Sequence, residues 1–501
     1  MQGKASLTAG FRNTFGVRAL RETRCGRALA AVAVAGLTVL VGSFGWLASG
    51  AADRATSPAG AGRPNIVLVM TDDQTLESMR VMADTRRLLG EQGTTFEHAL
   101  ATYPLCCPSR ATYLTGQYSH NHGVQDNDSY DDLREGETLP VWLRRSGYHT
   151  AHLGRYLNGY GIQDPRRVPP GWDDWNALTA GTEYDMFGFD LNVNGRIAHY
   201  GRGPSDYQTD VLAERAAAHV ERRARHPAPF FLSVTPTAPH SGNQAGFPNP
   251  KPAPRHRGRF ADEPLPGPPS FDERDVSDKP RKLRARPRMS DADVRLARES
   301  YRSRLASLLA VDDLVERLVR TLRRTGQLES TLILFTSDNG FFHGEHRYEA
   351  GKVRHYEEST RVPLLLRGPG VPEGVVREQL VGNVDLAPTI VDAAGAEAGL
   401  RMDGTSLLGP VQDPAEGTGR DILLQACEYR RQAYVAVRTP RYVYAEYTET
   451  GEEELYDLAV DPYELESRHS DPAYEAVRAA LAERLEELRR CAGASCLAPR
   501  P

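Results

Sequence analysis

The chain has 501 residues and a formal net charge of -5, from 61 lysines and arginines against 66 aspartates and glutamates. That length can bury a large core and suits either one large α/β unit with an appendage or two domains. The acidic balance excludes a general nucleic-acid binder, which needs a basic surplus to neutralise phosphates.

In chain order, residues 1–52 read as an export signal. Lys4, Arg12, Arg18, Arg21, Arg24 and Arg27 precede an uncharged, mostly apolar run from Ala28 to Ala52, with small residues for cleavage at Ala48-Ser49-Gly50-Ala51. The run is also long enough to stay as a membrane anchor. In either case the remainder is exported, secreted or held on the outer face of the cytoplasmic membrane, and any membrane contact is through this segment alone. Residues 53–63 form a small-residue linker.

The first structured element is "NIVLVM", Asn65 to Met70, a short apolar run of the kind buried on both faces of a sheet, and it ends in Thr71-Asp72-Asp73. In "LCCPSRATYLTG", Leu105 to Gly116, Pro108 suits a first helical turn. The positive end of that helix then faces Cys106, with Arg110 beside it, surroundings that stabilise an anionic nucleophile or an anionic substrate group. A second apolar strand, "PFFLSV", leads into "TAPH" and His240. The stretch from Asn243 to Pro287 is rich in proline and basic residues without periodicity, and reads as a surface excursion with a solvated charged face or, alternatively, as a basic wall for a polyanion. "SRLASLLAVDDLVERLVRTLRRTG" has helical spacing and stops at Gly326. "STLILFT" then repeats the design of the first strand and ends in Ser337-Asp338-Asn339-Gly340.

Helix followed by buried strand points to an α/β fold with a largely parallel sheet. Beyond Arg401, "AYVAVRT", "RYVYAEY" and "EELYDL" alternate as in an antiparallel meander, followed by an amphipathic helix, "AYEAVRAALAERLEELRR". The expected organisation is a catalytic unit over 64–400, a smaller α+β subdomain over 401–490 and a tail over 491–501. Cys491 and Cys496 are placed to form a disulfide, which leaves Cys106, Cys107 and Cys427 to explain.

Ligands of α/β sheets gather beyond the carboxyl ends of the strands. Asp72 and Asp73 occupy one such end, Asp338 and Asn339 another. Singly, Asp-Asp suits a helix cap and Asn-Gly a hairpin turn. Together they offer three carboxylates and one amide, a set for a hard cation such as Ca²⁺ or Mg²⁺ rather than zinc.

Cys106-Cys107-Pro108-Ser109-Arg110 followed by Thr115-Gly116 resembles the sulfatase signature C-x-P-S-R-x-x-x-x-T-G. "CCPSR", "YSHNHGV", "PSFDERDVSDKP" and "SLLAVDDLVERLV" are most similar to the branch that holds N-acetylglucosamine-6-sulfatases and extracellular heparan sulfatases. The resemblance implies an alkaline-phosphatase-like fold with a large mixed sheet, and hydrolysis of O-sulfate esters of a sulfated sugar or aryl alcohol. It implies that Cys106 is converted to formylglycine by a formylglycine-generating enzyme, with Cys107 the variable position. Asp72, Asp73, Cys106, Asp338 and Asn339 would hold calcium, with magnesium as the alternative. Arg110, His240 and Lys352 join Cys106 in the catalytic set. The branch reads Gly-Lys-Tyr-Leu-Asn where this chain reads Gly154-Arg155-Tyr156-Leu157-Asn158, so Arg155 stands where a lysine is usual, a planar fork replacing a point charge. His343 and His346 are expected to line the pocket outside the core set. The rival readings are a phosphonate or phosphate ester hydrolase on the same fold, and a noncatalytic binder of sulfated glycans in which Cys106 stays a thiol.

Overall fold

A computed structural model describes residues 62–242, 249–428 and 431–498. The export signal and nearly all of the linker lie outside these residues. Among the described residues no helix is long and apolar enough to cross a membrane.

The larger sheet has ten strands: β1 Asn65–Thr71, β2 Thr94–Leu100, β3 His149–Gly154, β4 Asp174–Leu178, β5 Asp190–Val193, β6 Arg196–His199, β7 Phe230–Thr235, β8 Thr331–Ser337, β9 Leu364–Arg367 and β10 Val375–Gly382. Their order is β10-β2-β9-β8-β1-β7-β3-β4-β5-β6. The central run β8-β1-β7-β3-β4 is parallel, and antiparallel neighbours enter at β9, β5 and β6. The sheet is therefore mixed.

Side chains of β1 alternate between two cores. Ile66, Leu68 and Met70 pack with the helix Cys106–Thr115 through Ala111 and Leu114. Val67 and Val69 pack against Leu308, Val311, Leu314 and Leu318 of the helix Asp291–Arg324. Both faces of a parallel sheet are covered in this way, which is why its strands read as unbroken apolar runs. The long helix begins twelve residues before the expected stretch, because Ser290 and Asp293 form a reciprocal capping box.

The second sheet is a four-strand antiparallel meander, β11 Ile422–Glu428, β12 Arg431–Arg438, β13 Tyr442–Glu446 and β14 Glu453–Asp457. The sequence pattern revealed the last three strands and missed β11, whose "ILLQACE" run was legible as an apolar strand. One face packs on the helix Glu475–Leu488 through Leu481, Leu485 and Leu488. The other, through Ile422, Leu424 and Ala436, packs on Leu100, Tyr103 and Leu380 at the edge of the large sheet. Cys491 and Cys496 are disulfide-bonded at the end of that helix, and Cys106, Cys107 and Cys427 are buried outside any disulfide.

The proline-rich excursion is not wholly a solvated face. Lys279 is fully buried, and its Nζ donates to Tyr456 Oη at 2.8 Å and to the Leu465 carbonyl at 3.1 Å. A charge that would be expensive to bury alone is satisfied by Tyr456 of the second sheet and by the segment that follows it, to which it fastens the excursion.

Candidate active site

Four neighbouring strands of the large sheet deliver the site. β1 and β8 run in register, Thr71 beside Ser337, so Asp72 and Asp73 emerge next to Asp338 and Asn339. His240 follows β7 and Arg155 follows β3. Gly154 ends β3 at φ +114°, and a Cβ there would fall 2.2 Å from the Thr235 carbonyl oxygen. Only glycine lets the chain turn Arg155 inward so close to β7. Asp73 adopts the left-handed conformation at φ +64°, which a short polar side chain tolerates.

Cys106 opens its helix from an extended Leu105, and the helix closes at Gly116 in the left-handed conformation. Cys106 Sγ lies 3.4 Å from Asp72 Oδ1 and 2.8 Å from Lys352 Nζ. Cys107 points away, its Sγ on the Asn158 carbonyl at 3.7 Å. Burial, with Asp72 adding to it, pushes the Cys106 thiol up to about 12. As a plain thiol it stays protonated and is a poor nucleophile at neutral pH.

Arg110 is 1% exposed and forks between two strand ends, Nε to Asp338 Oδ2 at 2.9 Å and Nη2 to Asp72 Oδ2 at 3.1 Å. Arg155 is also buried, pairing with Asp72 through Nη1 while Nη2 donates to Asn158 Oδ1 at 2.8 Å and Tyr184 Oη at 2.5 Å. Lys352 pairs with Asp73. Arg304, from the long helix, donates to the Asp73 carbonyl at 2.5 Å. His240 faces Asp73 Oδ2 with Nε2 at 3.5 Å and the Ser241 carbonyl with Nδ1 at 2.5 Å, its ring 4.5 Å from Tyr184. Burial lowers its pKa, with Asp73 and Asp72 opposing.

Three buried carboxylates thus meet four buried cations, and the electrostatics divide the acids. Burial resists ionisation of Asp72, but Arg155 and Arg110 outweigh it and hold the carboxyl far below its usual range. Burial and the charge on Asp72 lift Asp338 to about 6.

The carboxylate and amide oxygens here, and not the thiol or imidazole beside them, are the donors that fit a hard cation. Ligand atoms of Asp72, Asp73, Cys106 and His240 lie within 4.8 Å of one another. Asn339 donates its amide to Asp73 Oδ1 at 2.7 Å, while its Oδ1 is buried with no hydrogen-bond partner, an oxygen suited to a metal. Asp338 accepts from Arg110 Nε through Oδ2 and from the Asp73 amide through Oδ1 at 3.1 Å, which leaves each oxygen a further lone pair for a cation.

Every residue of the expected catalytic and metal sets, including Arg155, lies at this one place. The two further histidines do not. His343 is buried against Tyr301 and Phe341. His346 belongs to a separate group with Glu273, Glu358 and Glu464. Sequence reasoning missed Tyr184 and Arg304. Nothing marked Tyr184, whereas Arg304 was a cation on the apolar stripe of a helix, between Tyr301 and Leu308, a placement that calls for a buried partner.

A family model described as Sulfatase matches residues 64–396, and one described as N-sulphoglucosamine sulphohydrolase, C-terminal, matches 344–491. The chain belongs to the sulfatase family and is a sulfuric ester hydrolase. Human N-acetylglucosamine-6-sulfatase is 33% identical over 493 residues, covering 88% of this chain and 87% of its own. A putative extracellular sulfatase Sulf-1 homolog of Caenorhabditis elegans is 36% identical over 355 residues, covering 69% of this chain and 48% of its own. Among solved structures, a protein in complex with its substrate D-glucosamine-2-N,6-O-disulfate aligns with TM-score 0.72 at 27% identity, covering 86% of this chain and 98% of that one.

Proposed function

We propose that this sulfatase is exported and removes O-sulfate from a sulfated sugar, using a formylglycine made from Cys106 by a formylglycine-generating enzyme and a calcium ion held by Asp72, Asp73, Asp338 and Asn339. The relatives named for N-acetylglucosamine-6-sulfatase and extracellular sulfatase activity support the substrate class and the export. The observation that carries the chemistry is the position of Cys106 Sγ, at a helix N-terminus, 3.4 Å from Asp72 and 2.8 Å from Lys352.

A hydrated formylglycine supplies an attacking hydroxyl that regenerates after each turnover, and the cation supplies charge that stabilises sulfate oxygens. The chain's own residues do the rest. Arg110, tied to Asp72 and Asp338, fixes the strand ends relative to residue 106. Arg155 beside Asp72 and Lys352 beside Asp73 and Cys106 bind the sulfate oxygens, where preorganised cations act as charge shifts toward the leaving oxygen. His240 keeps one proton at Nδ1 on the Ser241 carbonyl and faces Asp73 with Nε2; in the imidazolium form, which Asp73 and Asp72 favour against burial, it gives the Nε2 proton to the departing alcohol. Four cations against three carboxylates leave a surplus positive charge for an anionic substrate.

Mass spectrometry of the peptide ending at Arg110 tests the reading. An aldehyde in place of the thiol at residue 106, in protein that turns over an aryl sulfate, is the expected result. An intact thiol in active protein would overturn it.

A further inference from the structure

A cavity of about 620 Å³ adjoins the site. It shares Asn158 and Tyr184 with it, the two side chains that receive Arg155 Nη2. Tyr184 also faces the His240 ring. The cavity therefore opens on the side from which His240 would release an alcohol, and its size is that of a small-ligand site.

Its lining is acidic, although the substrate is an anion. Asp128, Asp131, Asp164 and Glu183 face it, against one guanidinium, Arg167. Arg167 is already committed, pairing with Glu135 and donating to Tyr130 Oη at 3.2 Å. Glu183 is held in place by its backbone, whose carbonyl accepts from Thr237 Oγ1 at 2.7 Å and Gln208 Nε2 at 3.2 Å. Its carboxylate Oε2 is buried without a hydrogen-bond partner. The two sides of the reaction centre thus differ in sign, cationic where sulfate binds and anionic where the rest of the molecule lies.

Resting on the sulfatase reading of the adjoining site, the geometry points to this cavity as the subsite for the leaving sugar, with Glu183, Asp131 and Asp164 selecting a sugar that carries hydrogen-bond donors or an ammonium group there and rejecting one that carries a second sulfate. The carboxylates that line the cavity accept from an amino or hydroxyl group of the sugar. A second sulfate would offer only acceptors to these carboxylates and add like-charge repulsion, with no uncommitted cation among the described lining residues to receive it. This sets the chain apart from the structural relative whose substrate is glucosamine 2-N,6-O-disulfate.

The test measures binding in a Cys106→Ala chain, so that turnover is not required. Calorimetry with glucosamine 6-O-sulfate and with glucosamine 2-N,6-O-disulfate, in the presence of Ca²⁺, should show the monosulfate binding about 10-fold or more tightly, equivalent to about 1.4 kcal/mol. Adding Glu183→Gln or Asp131→Asn should narrow that ratio. Equal or tighter binding of the disulfate, or a ratio that neither substitution moves, would overturn the subsite. Failure of the sulfatase reading shows separately, as absence of aryl sulfate turnover by the unmutated chain.

Discussion

Among the described residues, two largely buried groups bring acids and a histidine together closely enough to hold a metal. One is Asp72, Asp73, Cys106 and His240; the other is His346, Glu358 and Glu464. Their surroundings differ. The first lies at the carboxyl ends of parallel strands, beside an open cavity; buried atoms without a hydrogen-bond partner occur in both, Asn339 Oδ1 beside the first and Glu358 Oε2 and Glu464 Oε1 in the second. The second lies in the seam between the two sheets. There Glu464, from beyond β14, accepts the Glu357 amide at 2.8 Å, and His346 donates from Nδ1 to Glu273 at 2.7 Å, its ring 4.0 Å from Tyr356. Burial works against charge on His346, but Glu358 and Glu273 outweigh it and raise the imidazole to about 10. A proton therefore occupies the second group at neutral pH. Proximity of ligand types does not define a metal site; the charge balance already met by the chain decides what else the group needs.

The second group also has a mechanical consequence. His346 and Glu358 bracket the loop that carries Lys352, so the imidazolium clamp pins both ends of that loop and ties it to the second sheet through Glu464.

The largest effect expected is at Cys106. Cys106→Ala should lower kcat by about 10⁴-fold or more, the scale for losing a nucleophile, whereas Cys107→Ala should keep most activity, since its sulfur faces the Asn158 carbonyl and not the acids. Equal losses in steady-state assays would erase the distinction between the two sulfurs. Chelation should abolish turnover similarly, with Ca²⁺ or Mg²⁺ restoring it better than Zn²⁺; full activity in exhaustively chelated protein would make the first group resemble the second.

Arg155→Ala comes next. The guanidinium touches Asp72, Tyr184 and Asn158 together, and its loss should reduce kcat by about 10² to 10³-fold. Arg155→Lys should recover part of that, because charge returns without the fork. Near-normal kcat in Arg155→Ala would reduce this arginine to packing.

Much of the first group could be read from sequence because each member sits directly after an apolar strand or at a helix start. Asp72, Asp338 and Cys106 are each marked by a local pattern, and the parallel register of β1 and β8 then brings the acids together. The second group had no such mark. His346, Glu358 and Glu464 lie in irregular segments, and their meeting depends on how the second sheet docks. Lys279 was hidden for the same reason: its partner Tyr456 is 177 residues away. The mixed character of the sheet, with β9 inserted antiparallel between β2 and β8, likewise follows from chain return and not from local composition.

His346→Ala should destabilise the fold by about 3–5 kcal/mol, the range for removing one partner of a buried pair. The pH dependence has a definite sign. The folded-state pKa of His346 is raised from 6.5 to about 10, so its contribution is complete below about pH 6.5 and is lost as pH rises towards 10. Urea unfolding across that window should show a decline in the unmutated chain that is flattened in His346→Ala.

The smallest effect expected is the sharpest test of the contrast between the groups. Burial, together with the charges on Glu357 and Glu358, raises the pKa of Glu464 well above its usual value and favours its uncharged carboxyl. Glutamine has nearly the shape of a protonated glutamate and keeps an oxygen to accept the Glu357 amide. Glu464→Gln should then change unfolding free energy by less than about 1 kcal/mol, the scale of one ordinary hydrogen bond, and leave bound-metal content unaltered. A metal ligand would behave differently, since exchanging a carboxylate for an amide weakens the site and removes its contribution to folding. If Glu464→Gln proves as costly as His346→Ala, a charged carboxylate is needed in the seam, and the proton-filled account of the second group fails.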